Sequence, residues 1–405
     1  MKRESDSTEN PKAPQAVKSG RGQFFTERTA EDFVSVAEVV GKGVAVFAKS
    51  KSSQGDVIFR DVAAGVVQKG QYPRACAECL RLTGTLDEVW HALPGGGAGD
   101  LPGLTAEDRQ LAPPIAWAGA WEPDGVFCCQ ECLDQHRSAL KALDGKAAQV
   151  AEFRKHSRDV DTVFFDLALL VVARNSDVLG HLCQAPYWEC VDRPDTGVDE
   201  FIAGLQAENE RSFELLQKLQ LPGAPSTAHE WSCVVGALCR NAIMVKFANP
   251  LVAYVQEVDL AGGEPQLALG KRIEQLLAAS PGHGTGADDD NSDAESESSG
   301  DQADDELNFA WEVEDRVVRF STKLFPALKG YGLYPKLAAV NHSCEPNAVG
   351  VFCGDANLLL LASRTIRKGE EICIDYIDNE EDDAETRRQA LLPYGFICGC
   401  PRCPG

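Results

Sequence analysis

The spacing of hydrophobic residues changes twice along this chain. Near the N-terminus, hydrophobic and polar residues alternate in short β-branched runs separated by glycines, and 44–48 and 56–60 are predicted to be strands. Between about 134 and 279, hydrophobic residues recur at helical spacing. After residue 311 the strand pattern returns. We therefore predict two strand-rich regions with a helical insertion between them.

Individual elements follow from the same spacing. A Pro- and Gly-rich stretch at 221–225 interrupts the helical region. Helices are predicted at 140–156, 163–175, 231–246 and 267–279. Strands are predicted at 351–353, 358–362 and 372–374.

Three segments have the composition of loops or linkers rather than of packed elements. Residues 1–30 are predicted to form a disordered tail, and the Gly- and Pro-rich stretch 93–114 a flexible surface loop. Residues 282–306 contain ten acidic residues and no Lys or Arg, which predicts a disordered acidic linker.

Composition narrows the class of protein. The 405 residues carry a net charge of −23, which argues against direct binding to nucleic acid and favours a basic protein partner. No apolar run reaches membrane-spanning length, and the polar N-terminus does not resemble a secretory signal. An intracellular protein is expected, in the nucleus, the cytoplasm or both.

The fifteen cysteines are more consistent with metal binding than with disulfides, because intracellular thiols are normally reduced. Cys398, Cys400 and Cys403 lie within six residues, and Cys344 can supply the fourth thiolate of a closed zinc site. Unrelated core thiols are the weaker interpretation, since three cysteines so close together are unusual without a metal.

A second zinc site is predicted from two pairs of cysteines, Cys76 with Cys79 and Cys128 with Cys132. Cys129 is an alternative to Cys128. His136 is a further candidate ligand, although a histidine at this place in a helix is more often exposed or a cap.

The remaining motifs lie in the last third of the chain. Asn341 and His342 precede Cys344, the run from Gly369 to Tyr376 follows, and the cysteine cluster ends the sequence. A Gly-Lys-Gly turn at 41–43 is weak by itself, because it lacks the further glycine of a dinucleotide-binding fingerprint. In this order the motifs resemble those of SET-domain lysine methyltransferases, and most closely the subgroup with an inserted MYND-type zinc finger.

The resemblance implies an α+β fold: a β-rich SET fold of small sheets with a knot-like C-terminal threading, a zinc module and a helical insertion. It also implies the cofactor S-adenosylmethionine and two structural Zn²⁺ ions. Tyr376 matches the catalytic tyrosine of the family, and Tyr394 an aromatic residue that lines the lysine channel. The cofactor-binding residues that the resemblance implies are Gly41, Lys42, Gly43, Asn241, Asn341, His342 and Phe396.

The sequence departs from the family pattern in places. Leu86, Val89 and Leu140 stand where cysteines of a second MYND zinc site are expected, so packing is predicted to replace that metal. The acidic linker is unusual. The sequence ends at Gly405 without the helical domain that many members carry over the substrate cleft, so selection of the substrate by such a lid is not expected.

We therefore predict a protein-lysine N-methyltransferase acting on a histone or another basic protein; the alternative is an inactive SET-like zinc scaffold that binds proteins. Neither membrane nor direct nucleic-acid binding is expected. The predicted segments are a tail (1–30), the first SET part (31–70), the zinc module (71–139), the helical insertion (140–281), the linker (282–306), the SET core (307–385) and the terminal zinc segment (386–405).

Overall fold

The fold is described by a computed structural model of the protein. It covers residues 34–40, 43–70, 72–97, 99–174, 182, 185–191, 194, 196–279, 306–377 and 383–403. The predicted tail at 1–30 lies outside the described residues, as do Gly41, Lys42 and the acidic linker apart from Glu306.

The strands are short and are distributed over both ends and the middle of the chain. They are β1 Val34–Val39, β2 Gly43–Ala48, β3 Val57–Asp61, β4 Gly65–Lys69, β5 Ile115–Trp117, β6 Gly125–Phe127, β7 Ala242–Phe247, β8 Asn308–Val313, β9 Arg316–Ser321, β10 Leu328–Leu333, β11 Asn341–His342, β12 Ala348–Phe352, β13 Leu358–Ala362 and β14 Cys373–Ile374.

Most helices lie between the strands of the two ends. They are α1 Leu86–His91, α2 Gln130–Ala139, α3 Ala147–Asp159, α4 Val163–Ala173, α5 Val198–Leu219, α6 Ala228–Asn241, α7 Pro250–Ala261, α8 Gly263–Ala279 and α9 Ala384–Ala390. Within the described ranges, no helix is both long and apolar enough to cross a membrane.

The strands form small sheets that join distant parts of the chain. β13 lies between β3 and β12, and β10 lies between β4 and β7. The short strands β11 and β14 pair in parallel, which sets Asn341 opposite Cys373 and His342 opposite Ile374. The predicted α+β class with small sheets is therefore confirmed, whereas the knot-like threading stays a prediction.

Two of the hydrophobic clusters pack the helices and the small sheets described above. One packs α3, α4, α5 and α6 around Phe165 and Trp231, and α4 is apolar on nearly all sides because it lies inside this cluster. The other fills the space between the small sheets and includes Phe59, Val340 and Leu360. Because Val340 directly precedes Asn341, this second core fixes the strand that carries the Asn-His pair.

Two predicted helices differ from the structure. The helix predicted at 231–246 ends at Asn241, and Ala242–Phe247 is a strand that pairs with β10. The helix predicted from residue 140 begins at Ala147. The described residues of 93–114 form no helix or strand and are mostly exposed, as predicted for a surface loop, although Leu101 is fully buried and its N–H donates to Asp87 Oδ1 at 2.6 Å. For 242–247, the pairing with β10 outweighed the local helical pattern.

Candidate active site and metal-binding clusters

Asn341 ties the strand β11 to the N-terminal part of the chain. Its Nδ2 donates to the carbonyl oxygen of Val44 at 3.1 Å and to Glu371 Oε1 at 3.0 Å. Within the described residues, no hydrogen bond reaches Asn341 Oδ1, so this amide oxygen remains available to accept one. β2 begins at Gly43, whose φ of +75° suits glycine and whose Cα faces open space on the side where a Cβ would stand.

His342 links the aromatic side of the site to the terminal cysteines. Its Nδ1 lies 3.1 Å from the backbone nitrogen of Tyr376, which can only donate, so Nδ1 must be the acceptor. The proton of the neutral ring is then on Nε2, which lies 3.2 Å from Cys344 Sγ. Burial lowers the pKa of His342, as this neutral form requires.

Four aromatic rings form one continuous cluster at this place. The ring of Tyr376 lies 5.3 Å from that of His342 and 5.1 Å from that of Tyr394, measured between centroids. Phe396 packs on His342 at 5.9 Å and keeps 38% of its surface exposed. The structure thus brings together His342, Tyr376, Tyr394 and Phe396, which the sequence places up to 54 residues apart, and Asn341 precedes His342 on the same strand.

Both tyrosine hydroxyl groups are oriented by backbone oxygens. Tyr376 donates to the carbonyl of Val340 at 2.6 Å, and Tyr394 donates to the carbonyl of Tyr376 at 3.2 Å. A hydroxyl group has one proton and two lone pairs. The oxygen of Tyr376 can therefore accept a hydrogen bond from a further partner but cannot donate one.

Asn241 lies at the end of α6, and its Nδ2 donates to the carbonyl of Ala237 at 2.7 Å. The preceding Arg240 donates from Nε to the carbonyl of Pro393 at 2.5 Å, next to Tyr394. This end of α6 is therefore close to the aromatic cluster. A direct role of Asn241 in the site stays a prediction.

The last four predicted metal ligands meet in one cluster. The Sγ atoms of Cys344, Cys398, Cys400 and Cys403 all lie within 4.8 Å of one another. Cys344 is 3.8 Å from Cys398 and 3.5 Å from Cys403, measured between Sγ atoms. Tetrahedral zinc with Zn–S bonds of roughly 2.3 Å would place its sulfurs about 3.8 Å apart, so the spacing fits.

The first four predicted ligands, Cys76, Cys79, Cys128 and Cys132, form a second such cluster within 4.8 Å. The Sγ of Cys128 is 3.6 Å from the Sγ of both Cys79 and Cys132. Cys129, the alternative to Cys128, is exposed. Since S–S bonds are about 2 Å long, neither cluster is a set of disulfides, and both could hold zinc.

His136 is fully buried beside this second cluster, so the interpretation as an exposed or capping residue was wrong. Its Nδ1 lies 3.1 Å from Glu78 Oε2, and Arg174 donates to the same carboxylate. Its ring packs on those of Trp117 and Phe127. Apolar residues fill the positions of the missing cysteines: Leu86, Val89 and Leu140 are all buried. The carboxylate of Glu78 and the rings of Trp117 and Phe127 thus surround His136, whereas Leu86 and Val89 lie in one other hydrophobic cluster and Leu140 in another.

Asp61 also contributes to the site, although nothing in the sequence near it indicated this. Its Oδ2 accepts hydrogen bonds from the backbone nitrogens of Lys336 at 2.8 Å and Leu337 at 2.9 Å. Those residues start the 3₁₀ turn Leu337–Ala339 that leads into Val340. Because 275 residues separate Asp61 from Lys336, only the folded chain shows the contact.

The titration of Asp61 gives a testable pH dependence. Burial raises its pKa from 3.8 to about 7, so the folded state holds the proton more tightly than the unfolded state. The stability that this group contributes therefore falls as pH rises from 3.8 to about 7, by at most about 1.4 kcal/mol per pH unit. Asp61→Asn keeps both acceptor contacts and should lose this slope.

The measurement is urea unfolding of the wild type and of Asp61→Asn between pH 5 and pH 8. The variant should gain stability relative to the wild type up to about pH 7 and then stay level. Asp61→Ala, which removes the acceptor of two N–H groups, should be less stable throughout. A constant difference between Asp61→Asn and the wild type at every pH would contradict the prediction.

Comparison with known proteins agrees with this geometry. The chain matches the SET domain family over residues 43–377. This region includes Asn341, His342 and Tyr376, and also Cys76 and Cys344, the first cysteine of each cluster. The chain belongs to the SET domain family. The matched region extends over most of the sequence, from the strand that begins at Gly43 to the residue that follows Tyr376.

Curated relatives of this SET-domain protein include members of the predicted subgroup. The mouse histone-lysine N-methyltransferase SMYD3 is 47% identical over 74 residues, 18% of this chain and 17% of the mouse protein. A SET and MYND domain-containing protein of Dictyostelium discoideum is 39% identical over 20% of this chain and 24% of that protein. The first relatives are thus matched over only a small part of their length.

One relative is matched over nearly its whole length. The zebrafish protein-lysine N-trimethyltransferase SMYD5 is 26% identical, over 89% of this chain and 84% of that protein. Together with the two cysteine clusters, these relatives confirm the resemblance of this SET-domain protein to the SET and MYND subgroup.

Proposed function

We propose that this protein is an S-adenosylmethionine-dependent protein-lysine N-methyltransferase. The observation that carries the proposal is the aromatic cluster of Tyr376, Tyr394 and Phe396 against His342, on the strand that also carries Asn341. An aromatic wall next to open polar atoms suits an aliphatic amine and a polar cofactor. The relatives' names, which describe lysine methyltransferases, support the same conclusion.

The residues present fit the cofactor. Asn341 Oδ1 can accept a hydrogen bond from an amino group, and the exposed face of Phe396 can pack against a flat ring. The open space at Gly43 lets a ligand approach the backbone of β2. Gly41, Lys42 and His342 complete the proposed binding residues, with Asn241 near the end of α6. When bound, S-adenosylmethionine supplies a methyl group attached to a positively charged sulfur.

The chain's own residues would prepare the substrate amine. A free lysine has a pKa near 10.4, and only its neutral amine has a lone pair to attack with. Tyr376, Tyr394 and Phe396 would exclude water from around the amine, and this loss of hydration lowers its pKa. These residues would thereby present a neutral amine to the methyl group that the cofactor supplies, and the methylated amine would then lose a proton to solvent.

Tyr376 would align the reacting amine. Its hydroxyl proton is already donated to Val340, so its oxygen would accept a hydrogen bond from an amine N–H. Tyr394 would form the facing wall, held by its own bond to the Tyr376 carbonyl. Most of the acceleration would come from this alignment of nucleophile and methyl group.

The two thiolate clusters would hold structural zinc. Each has four thiolates and therefore no open position for chemistry. The C-terminal cluster would anchor the segment that carries Tyr394 and Phe396 against the strand of Asn341 and His342. The acidic balance of the chain, at −23, favours a basic protein as substrate, either a histone or another protein.

The test combines cofactor binding with product analysis. Purified protein is titrated with S-adenosylmethionine by calorimetry, then incubated with methyl-labelled cofactor and a panel of basic proteins, and the products are mapped by mass spectrometry. We expect binding and label on lysine side chains. Binding with no label on any lysine in the panel, alongside an active SET-domain enzyme as control, would favour the inactive scaffold. Absence of cofactor binding would contradict the proposal directly.

A further inference from the structure

A buried arginine touches the C-terminal thiolate cluster from outside. Arg387 lies in α9, and only 4% of its surface is exposed. Its Nη2 donates to the carbonyl oxygen of Arg402 at 2.5 Å and to Cys403 Sγ at 3.5 Å. Burying a guanidinium group is costly unless a partner compensates its charge, so its position beside the sulfur atoms requires an explanation.

The cluster itself needs a compensating cation. Four thiolates around one Zn²⁺ leave a formal charge of about −2. Hydrogen bonds from a charged donor to such a cluster are stronger than neutral ones. Arg387 is placed where it can offset this residual charge.

The same contacts also hold the segment that carries Tyr394 and Phe396. Arg387 bonds to Arg402, and Arg402 Nη1 donates to the carbonyl oxygen of Cys344 at 2.8 Å. Tyr394 and Phe396 lie in the short segment between α9 and Cys398. Arg387 therefore braces that segment at its start, and the cysteines brace it at its end.

We propose that Arg387 is a positioning residue: it acts as the counter-charge of the Cys344, Cys398, Cys400 and Cys403 cluster and so determines how firmly that cluster retains its metal. The proposal depends on metal in this cluster and not on methyl transfer, so it stands or fails separately from the proposed function. Outer partners of metal ligands typically change metal affinity by about 10- to 100-fold when removed.

The experiment compares metal retention at the two clusters within the full-length chain. Wild type, Arg387→Gln, Arg387→Lys and the control Arg388→Gln are each incubated with a chelator and a thiol-alkylating reagent. Mass spectrometry then gives the alkylation rate of each cysteine. Arg388 is the matched control because it is the next residue of α9, carries the same charge and has 53% of its side chain exposed.

In Arg387→Gln, we expect Cys398, Cys400 and Cys403 to be alkylated about 10- to 100-fold faster than in the wild type. Cys76, Cys79, Cys128 and Cys132 should keep the wild-type rate and serve as an internal standard. Arg387→Lys, which retains the charge, should recover most of the protection.

Four results would overturn the proposal. The first is equal alkylation rates in Arg387→Gln and Arg388→Gln. The second is no rescue by Arg387→Lys, which would show that the charge is not the relevant property. The third is faster alkylation at both clusters together, which would assign Arg387 to the general stability of the fold. The fourth is a wild-type protein with no metal at the C-terminal cluster.

Discussion

Tyr376→Phe is expected to lower the rate of methyl transfer by about 100-fold or more, with cofactor affinity changed by less than about threefold. The substitution removes the oxygen that would orient the amine but keeps the ring that packs on His342 and Tyr394. Alignment is needed in the transition state, whereas binding of the cofactor relies mainly on other atoms. The measurement is single-turnover methyl transfer together with calorimetric titration of the cofactor.

A second tyrosine provides the matched control for this prediction. Tyr254 is buried in a separate hydrophobic cluster, and its hydroxyl also donates to a backbone carbonyl, that of Pro102 at 2.7 Å. Tyr254→Phe loses the same kind of hydrogen bond and should leave the rate nearly unchanged. Wild-type turnover in Tyr376→Phe would remove Tyr376 from the mechanism.

Cys400→Ser is expected to reduce bound zinc from two ions to one per chain and to weaken cofactor binding at least about tenfold. A serine hydroxyl is a poor zinc ligand at neutral pH, so the C-terminal cluster loses its metal. The Nε2 proton of His342 then loses its thiolate partner at Cys344, and the segment of Tyr394 and Phe396 loses its anchor. Metal analysis and calorimetry measure the two effects.

Two further serine variants separate local from general effects. Cys353 is exposed and belongs to neither cluster, so Cys353→Ser should change neither zinc content nor cofactor affinity. Cys79→Ser should also remove one zinc, but from the cluster that does not contact His342, and its effect on cofactor affinity should be smaller. Loss of one zinc from Cys400→Ser with unchanged cofactor affinity would contradict the proposed coupling.

The chemistry-bearing residues were the most predictable part of the site. Cysteines at metal-ligand spacing are recognisable because thiolates must converge on one ion, and both predicted sets do converge. Asn341, His342 and Tyr376 stand in short motifs whose order along the chain limits the possible interpretations. The structure then placed the rings of His342 and Tyr376 5.3 Å apart, as a shared site requires.

The predictions that were wrong concern residues that are stabilised by partners distant in sequence. Residues 242–247 continue a helical pattern in sequence, yet they pair with β10, and Val245 is fully buried there. The residues around His136 in sequence are those of an exposed helix face, yet His136 is buried and contacts Glu78, which in turn accepts hydrogen bonds from Arg174. Local spacing describes only neighbours in sequence, whereas these residues gain more from partners 58 to 91 residues away.

The sequence by itself determined which atoms this protein has for metal binding and for the candidate reaction, because thiolates, an imidazole and phenols are properties of residues. Only the tertiary structure decided how those atoms are oriented. The Tyr376 hydroxyl donates to the main-chain oxygen of Val340, and the protonated nitrogen of His342 points to Cys344. Such orientations depend on hydrogen bonds between segments that fold together, and a linear pattern contains no information about their directions.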